Sequence, residues 1–441
     1  MSIHDESNQF SQVIKPRSGH FDSADITFLS TLLTDEGILL FYYVENSFLL
    51  GAALLDSLDS KTILWRSSNP IWQTQEKIKS LSISRKWKRI YFNYQLKKTS
   101  YSVHLPLNNI FGLREKNNLP ALKRISKNPI LKPNQNNAWE ASAVFNAAAL
   151  YLNKQVHFIY RAITASGESL FGYAVSNNGV NIIDRNEKPV YFLNAEIKSK
   201  KKNNLASCFY MSGSNSHGCE DPRLSKIGDR IYMTYTAWNY ISPPHVVLTS
   251  ITVIDFLNQK WNWTTPIQIS QHNELHKNWV IFPEKIKGKY AILHSLSPNI
   301  LIEYSDTLKN RKTPIASCYH PDHRELCWDN WMRGAGPPPI KTTEGWLLLY
   351  HAMDFNDPNK YKIGAMILDL KNPAKVLYRL SHPILEPETY YENQGHKAGV
   401  VYTCGAVVID NTLFVYYGGA DTVLCCAKHN LPKLLSVIKK S

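Results

Sequence analysis

The chain has 441 residues, 44% of them hydrophobic, and a formal net charge of +14 at pH 7. This length allows one large domain, or two, with a sizeable apolar core. The composition is that of an ordinary soluble globular protein, and the longest apolar runs stay well below the ~18 residues of a membrane span, so no membrane partner is expected.

The positive charge is scattered along the chain. Apart from a run at 198–202 and the pair Lys439 and Lys440, the basic residues are scattered, and no basic helix is evident. The sequence therefore argues against a nucleic-acid partner. Attraction for phosphate or acidic glycans, or a biased genome composition, explains the charge more simply.

The cysteines and the first residues indicate the compartment. Seven cysteines make an odd number and contain no Cys-x-x-Cys pair, which favours neither a disulfide framework nor a zinc site. The first six residues have neither the basic nor the apolar region of a signal peptide. We therefore expect a cytoplasmic protein without a bound metal; the sequence leaves open a homo-oligomer.

Two distant stretches of the chain align without a gap. Residues 51–71 and 364–384 share a glycine, an aspartate, an arginine and a closing Pro-Ile pair at equivalent positions, and 124–131 repeats the end of this unit. Internal similarity of this kind indicates duplication of a structural unit.

A strand, a polar turn and a second strand recur along the chain. The strand pattern appears at 38–43, 156–162, 231–237, 290–295, 346–352 and 413–419, and the last five copies are spaced by roughly 55 to 70 residues. An amphipathic helix is evident only at 430–440. The pattern predicts an all-β, five-bladed β-propeller over 116–441, after an N-terminal β-rich extension over 1–115 that holds a blade-like copy of the repeat.

A six-bladed propeller and a pair of β-sandwiches are the alternative folds. Within the extension, residues 84–100 are basic and aromatic. This segment could contact a glycan or a partner, but packing against the propeller is the simpler interpretation.

Equivalent ends of the inner strands of a propeller converge on a central channel. Polar residues at the end of successive copies should therefore meet in one pocket; they are Arg161, Asp221, His294, His351 and Asp421. One such residue in a strand is usually structural, whereas five at equivalent points of a cyclic repeat indicate a site.

The most informative motif is Cys219-Glu220-Asp221-Pro222-Arg223, just before the predicted strand at 231–236. Pro222 excludes a helix and favours an extended or turn conformation at Asp221. Two carboxylates and a guanidinium at a strand end suit protonation of a sugar oxygen. The alternative is a surface turn in which Asp221 and Arg223 pair with each other.

Further blocks follow in a fixed order: 128–131 with Trp139, Glu140 and 144–146; 160–162; 232–237; 282–294; 334–346; Tyr350 and His351; 384–388; and 416–422. Together with 220–223, these blocks resemble glycoside hydrolase family 130, the β-mannoside phosphorylases and mannosidases, over about residues 116–441. The resemblance implies a five-bladed propeller that cleaves β-mannosides with inversion.

The resemblance also implies roles for individual residues. Asp221 would be the proton donor, with a pKa that Glu220 would raise and Arg223 would lower. Substrate would be bound by Glu140, Asn146, Arg161, Glu220, Arg223, His351 and Asp421, and phosphate by Arg161, Lys277, His294 and Arg333. No cofactor is implied; the substrates would be a mannosyl disaccharide or β-mannoside oligosaccharide and inorganic phosphate.

Two positions depart from the phosphorylase pattern. Many relatives have arginine where this chain has Ser295 and His245, so positive charge around phosphate is reduced. An inverting β-mannosidase is therefore the alternative, and it would need a second carboxylate, such as Glu284, about 6.5–9.5 Å from the acid. A non-catalytic glycan-binding propeller is a third hypothesis, against which the retention of Arg161, Asp221, His294 and Asp421 argues. The linkage, β-1,2 or β-1,4, stays open.

Overall fold

The computed structural model of the chain describes residues 13–17, 21–34, 37–44, 49–56, 59–67, 70–73, 80–86, 89–96, 99–106, 122–193, 217–239, 242–309, 313–318, 328–354 and 357–439. The chain divides into two compact units, Met1–Leu119 and Pro120–Ser441. The boundary predicted at 115/116 and the basic run at 198–202 lie outside the described residues. Among the described helices, none has the length and apolar character needed to cross a membrane.

The N-terminal unit contains two antiparallel sheets. The first consists of β1 (Ile26–Thr34), β2 (Gly37–Val44), β3 (Leu49–Leu55), β4 (Ile63–Arg66) and β5 (Trp72–Gln73). The second consists of β6 (Ser80–Lys86), β7 (Arg89–Leu96) and β8 (Thr99–Pro106). Apolar side chains from both sheets form one core, in which the rings of Phe41 and Phe92 meet edge to face at 5.5 Å.

The C-terminal unit begins with two four-stranded blades. The first is β10 (Ala143–Leu152), β11 (Gln155–Ile163), β12 (Glu168–Ser176) and β13 (Ile182–Arg185). The second is β14 (His217–Ile227), β15 (Arg230–Trp238), β16 (His245–Thr252) and β17 (Ile267–Gln268). Within each blade the strands pair antiparallel, and a short parallel pairing of β12 with β14 joins the two blades.

Three further blades complete the unit. The third is β18 (Val280–Ile281), β19 (Tyr290–Ser295) and β20 (Leu301–Ser305). The fourth is β21 (Trp331–Ala335), β22 (Ile340–Thr342), β23 (Gly345–Asp354), β24 (Asp357–Leu368) and β25 (Val376–Arg379). The fifth combines β26 (Val401–Ile409), β27 (Thr412–Gly419) and β28 (Val423–Asn430) with β9 (Lys123–Arg124) from the start of the unit. The predicted five-bladed propeller is confirmed.

Helical structure in the described residues is short. A 3₁₀ turn covers Ala138–Glu140, and the α-helices are α1 (Val253–Leu257), α2 (Tyr390–Asn393) and α3 (Leu431–Ile438). Helix α3 occupies the segment predicted as helical. Its first turn is capped by the Asn430 side chain, which accepts a hydrogen bond from the Lys433 N–H at 3.0 Å.

A clamp of tyrosine, carboxylate and arginine recurs in the blades. In the first blade the Tyr160 hydroxyl donates to Glu140 Oε2 at 2.8 Å, and Arg185 Nη2 donates to the same oxygen at 2.6 Å. The fourth blade repeats this clamp with Tyr350, Asp329 and Arg379, and the first sheet of the N-terminal unit with Tyr42, Asp22 and Arg66.

The clamp explains the duplication found in the sequence. Gly51 and Gly364 begin the two aligned stretches, and a Cβ atom on either would come within 2.2 or 2.3 Å of the ring of Tyr42 or Tyr350, respectively. Real contacts of this kind are much longer, so glycine is required beside the clamped ring. The shared arginines of the two stretches are clamp members.

The fifth blade uses the clamp to close the ring of blades. Strand β9 pairs with β28, and Arg124 on β9 donates through Nε and Nη2 to the buried Glu392 carboxylate at 2.7 and 2.9 Å. Tyr417 donates to Glu392 Oε1 at 2.8 Å. One buried ion pair therefore joins the first strand of the unit to its last blade.

We expect Arg124→Gln to lower the free energy of unfolding by about 3–5 kcal/mol, because it leaves the buried Glu392 carboxylate without its cation. Lys341→Gln is the matched control, since the Lys341–Glu284 pair has side chains 53% and 44% exposed and such pairs contribute about 0–1 kcal/mol. Equilibrium urea unfolding measures both, and equal losses would contradict this role of Arg124.

Candidate active site

β-Bulges on the innermost strands direct the site residues out of the sheets. The pairing register shifts at Asn146 in β10, at Asp221 in β14 and at Arg333 in β21. A bulge leaves a residue outside the ladder and changes the direction of its side chain. Asn146 and Asp221 have left-handed φ values of 45° and 53°, and Asn146 Nδ2 donates to Asp221 Oδ1 at 2.8 Å.

The 219–223 motif thus lies inside β14 and is not a surface turn before a strand. Glu220 and Asp221 are 0% and 4% exposed. Pro222 lacks an N–H and is tolerated because the bulge interrupts the ladder at this point. Asp221 adopts a left-handed conformation within the bulge, where an extended or turn conformation was predicted.

The Glu220 carboxylate joins two cations. Its Oε1 accepts from Arg161 Nη2 at 2.9 Å and its Oε2 from Lys277 Nζ at 2.8 Å. Arg161 is oriented further by Ser169, whose Oγ accepts from Arg161 Nε at 2.8 Å, and its Nη1 donates to Asp221 Oδ1 at 3.3 Å. These contacts place a guanidinium and an ammonium beside Asp221.

Asp221 is ionised in this arrangement. Burial of its carboxyl favours the neutral form, but the charges of Arg161, Lys277 and Arg223, with the Asn146 hydrogen bond, outweigh burial and hold its pKa well below the usual value. From the sequence, Glu220 is expected to raise this pKa. In the structure Glu220 also holds Arg161 and Lys277 near Asp221, and the charges of these two cations lower the pKa of Asp221.

Asp421 has the opposite shift. Burial raises the pKa of its carboxyl above the ordinary value, and Lys397 and Arg161 offset this only in part. The side chain follows β27 in the left-handed conformation at φ 51° and is 8% exposed, without a hydrogen bond to another described residue. A nearly buried carboxyl of this kind is suited to hydrogen bonding with a bound molecule.

Three of the four predicted phosphate ligands line one pocket. Lys277, His294 and Arg333 face it together with Ser295, and Arg161 is connected to Lys277 through Glu220. His294 Nδ1 lies 2.8 Å from Ser317 Oγ. Lys277 and Arg333 make this pocket cationic, and Glu220 connects Lys277 to Arg161, which donates to Asp221.

The structure shows the surroundings of Ser295 and His245, the two positions that depart from the phosphorylase pattern. Ser295 lines the pocket, but its hydroxyl donates to the Ser297 carbonyl at 3.0 Å. Burial lowers the pKa of His245, whose Nδ1 lies 3.2 Å from the Pro243 carbonyl oxygen. Neither residue supplies a fixed positive charge.

Three residues predicted to bind substrate have partners within the protein. Glu140 is 0% exposed and is the carboxylate of the first-blade clamp. His351 is also 0% exposed; its Nε2 lies 2.8 Å from the Thr403 carbonyl oxygen and its ring stacks on Tyr402. Arg223 is 2% exposed and each of its three nitrogens donates to a protein oxygen. These contacts fix the three side chains within the protein, and their contact with substrate stays a prediction.

Glu284 does not have the surroundings of a catalytic base. Its carboxylate pairs with Lys341 Nζ at 2.6 Å, and both side chains are about half exposed. The buried carboxylates described around Arg161 are Glu220, Asp221 and Asp421. Glu220 is held by two cations, and burial raises the pKa of Asp421.

Sequence reasoning missed Asn278, Tyr402 and Gly418. Asn278 and Tyr402 hydrogen bond to Arg223, and no residue pattern marked either one. Gly418 does carry a signal, since it belongs to the motif at 416–422. A Cβ atom at Gly418 would lie 2.2 Å from Asn146 Oδ1, so the glycine leaves space for the partner of Asp221.

The described residues thus place buried carboxyl groups of opposite pKa shift and several cations near the innermost strands of a β-propeller, which suits chemistry on a polar substrate. Residues 112–440 match the sequence model of glycoside hydrolase family 130, described as β-1,4-mannooligosaccharide phosphorylase. The chain belongs to this family.

Curated relatives and solved structures agree with this assignment. The chain is 39% identical to a 1,2-β-oligomannan phosphorylase of Thermoanaerobacter sp. (strain X514) over 319 residues, which cover 69% of this chain and 95% of that protein. It is 37% identical to a β-1,2-mannobiose phosphorylase of the same strain, over 68% of this chain and 94% of that protein. The fold is similar to that of β-1,2-mannobiose phosphorylase from Listeria innocua, with a TM-score of 0.56 and 24% identity over 73% of this chain and 99% of that one.

The opposite pKa shifts predict opposite effects on stability. Asp221→Asn should lower the melting temperature at pH 7, because the ionised carboxylate is stabilised by cations, and the difference from the parent should shrink as the pH falls below about 4. Asp421→Asn should raise the melting temperature at pH 7, because folding disfavours the ionised form of the Asp421 carboxyl. Thermal unfolding between pH 3 and pH 7 measures both; a shift of the same sign in the two variants at pH 7 would contradict the assignment.

Proposed function

We propose that this chain is an inverting β-mannoside phosphorylase that transfers a mannosyl group to inorganic phosphate and forms mannose 1-phosphate. The observation that carries the proposal is the cationic pocket of Lys277, His294 and Arg333, linked through Glu220 to Arg161 beside Asp221. A phosphate dianion is costly to desolvate unless charge-assisted hydrogen bonds replace its water, and this pocket offers them.

The β-1,2 linkage is the better supported substrate class. The 1,2-β-oligomannan and β-1,2-mannobiose phosphorylases are 36–39% identical to this chain, including a Listeria innocua enzyme at 36% over 224 residues. A β-1,4-mannooligosaccharide phosphorylase of Ruminococcus albus is 27% identical. β-1,2-Mannobiose and longer β-1,2-oligomannans are therefore the substrates proposed.

Each site residue then has a role. Asp221 donates the proton to the leaving glycosidic oxygen, and Asn146 keeps that carboxyl in place through its hydrogen bond. Asp421, buried and without a described partner, binds a sugar hydroxyl. Lys277, His294, Arg333 and Arg161 bind phosphate.

In the reaction the bond between the mannosyl anomeric carbon and the leaving oxygen breaks, and that oxygen takes the Asp221 proton. A phosphate oxygen forms the new bond from the opposite face, so the configuration inverts and no catalytic base is needed. Hydrolysis would require a carboxylate to activate water. Glu284 forms a half-exposed ion pair with Lys341, which argues against a role for Glu284 in activating water.

An ionised Asp221 must gain a proton before it can act. The cations that lower its pKa include Arg161 and Lys277, which are also proposed phosphate ligands. A bound dianion compensates their charge, so the pKa of Asp221 rises when phosphate binds. Asp221 is therefore protonated once phosphate has bound.

Product analysis tests the function. With β-1,2-mannobiose we expect mannose 1-phosphate only when phosphate is supplied, and a higher rate than with β-1,4-mannobiose. Lys277→Gln should raise the KM for phosphate about tenfold or more, because it removes one charge-assisted hydrogen bond. Free mannose released at an unchanged rate without phosphate would establish hydrolysis instead.

Asp221→Asn should reduce turnover of β-1,2-mannobiose by about 10²–10⁴-fold, the usual contribution of a general acid. Circular dichroism should show an intact fold. Glu284→Gln is the control and should keep the parent kcat, since Glu284 is a half-exposed surface carboxylate. Activity of Asp221→Asn within a few-fold of the parent would transfer the role to Asp421 or Glu220.

A further inference from the structure

We infer that Arg223, Asn278 and Tyr402 form a lock that fixes the backbone of Asp221 in its proton-donating position. Arg223 is then a positioning residue, and so are Asn278 and Tyr402, none of which needs to touch substrate. The inference rests on the proposed function of Asp221 as the acid.

The lock begins at the main chain of Asp221. Arg223 Nη1 donates to the Asp221 carbonyl oxygen at 2.7 Å, and Arg223 Nε donates to the Gly336 carbonyl oxygen at 2.9 Å. Asp221 has a φ of 53° inside a bulge. A left-handed conformation is unfavourable for a non-glycine residue and persists only where its surroundings determine it. The Arg223 guanidinium is the group that holds this carbonyl.

Asn278 holds Arg223 in turn. Its Oδ1 accepts from Arg223 Nη2 at 2.9 Å, and its Nδ2 donates to the Arg333 carbonyl oxygen at 2.8 Å. Asn278 is itself left-handed, at φ 64°, and directly follows Lys277. Gly334 gives it room, since a Cβ atom there would lie 2.7 Å from Asn278 Cβ. The lock therefore connects the backbone of the acid to the backbones of two proposed phosphate ligands.

Tyr402 completes the lock from the fifth blade. Its hydroxyl donates to Asn278 Oδ1 at 2.6 Å and accepts from Arg223 Nη2 at 3.2 Å. Its ring stacks on His351 at a centroid distance of 3.7 Å and an angle of 11°. Burial and the neighbouring Arg223 lower the pKa of His351 to about 3, so the supporting ring stays neutral at working pH and adds no charge beside the guanidinium.

The geometry separates a positioning role from a merely structural one. A polar network that served only stability would resemble the blade clamps. In each clamp the hydrogen bonds are made to a buried carboxylate, which is Glu140, Asp329 or Glu392. The lock instead terminates on the carbonyl of Asp221 and on Arg333. Its loss should therefore disturb the chemical step more than binding.

Tyr402→Phe tests the lock, because it keeps the ring on His351 and removes only the hydroxyl. We expect kcat for phosphorolysis of β-1,2-mannobiose to fall about tenfold or more, with KM for both substrates within about twofold, since a hydrogen bond to the charged Arg223 is lost. Tyr417→Phe is the matched control: it removes a buried hydroxyl that donates to Glu392 at 2.8 Å, and should lower stability but leave kcat within twofold. Asn278→Ser should reproduce the kcat effect of Tyr402→Phe.

A kcat within twofold of the parent in Tyr402→Phe, or equal kcat losses in Tyr402→Phe and Tyr417→Phe, would overturn the inference. A crystal structure of Tyr402→Phe gives a result that does not depend on activity. Displacement of the Asp221 carboxyl from Asn146 supports the lock, and an unchanged Asp221 backbone contradicts it. Failure of the parent enzyme to release mannose 1-phosphate would instead count against the proposed function.

Discussion

The site depends on one buried carboxylate, Glu220, which holds Arg161 and Lys277 at 2.9 and 2.8 Å. Two cations cannot be kept inside a protein without a compensating charge. Glu220 supplies that charge and fixes both cations next to Asp221. The same two cations lower the pKa of Asp221 and keep positive charge beside it.

In the propeller, different residues serve stability and the candidate site. The tyrosine, carboxylate and arginine clamps stabilise the blades and, through Arg124 and Glu392, the closure of the ring. Bulges on the innermost strands release Asn146, Asp221 and Arg333 from the ladders. Because the clamps and the locked bulges use different residues, the site can hold left-handed backbone conformations without weakening the sheets.

The blades could be predicted from the sequence because strand composition and turn residues recur with each copy. Arg161 could be found because it lies near the end of a repeated strand, and Asp221 because the 219–223 motif marks it. The protein partners of Arg223, His351 and Glu140 could not be predicted, since residue type and position do not reveal on which side of an inner strand a polar group lies. Asn278 and Tyr402 left no pattern, because their function depends on contacts between strands distant in sequence. The pKa of Asp221 depends on the same kind of contact.

Proton uptake on phosphate binding tests the central claim, that the cations beside Asp221 also bind the nucleophile. Titration calorimetry of inorganic phosphate into the protein at pH 8, in buffers of different ionisation enthalpy, gives the number of protons taken up. The account predicts a net uptake by the parent that is larger than that of Asp221→Asn, by as much as one proton. Equal uptake by the two proteins would show that phosphate does not load the acid.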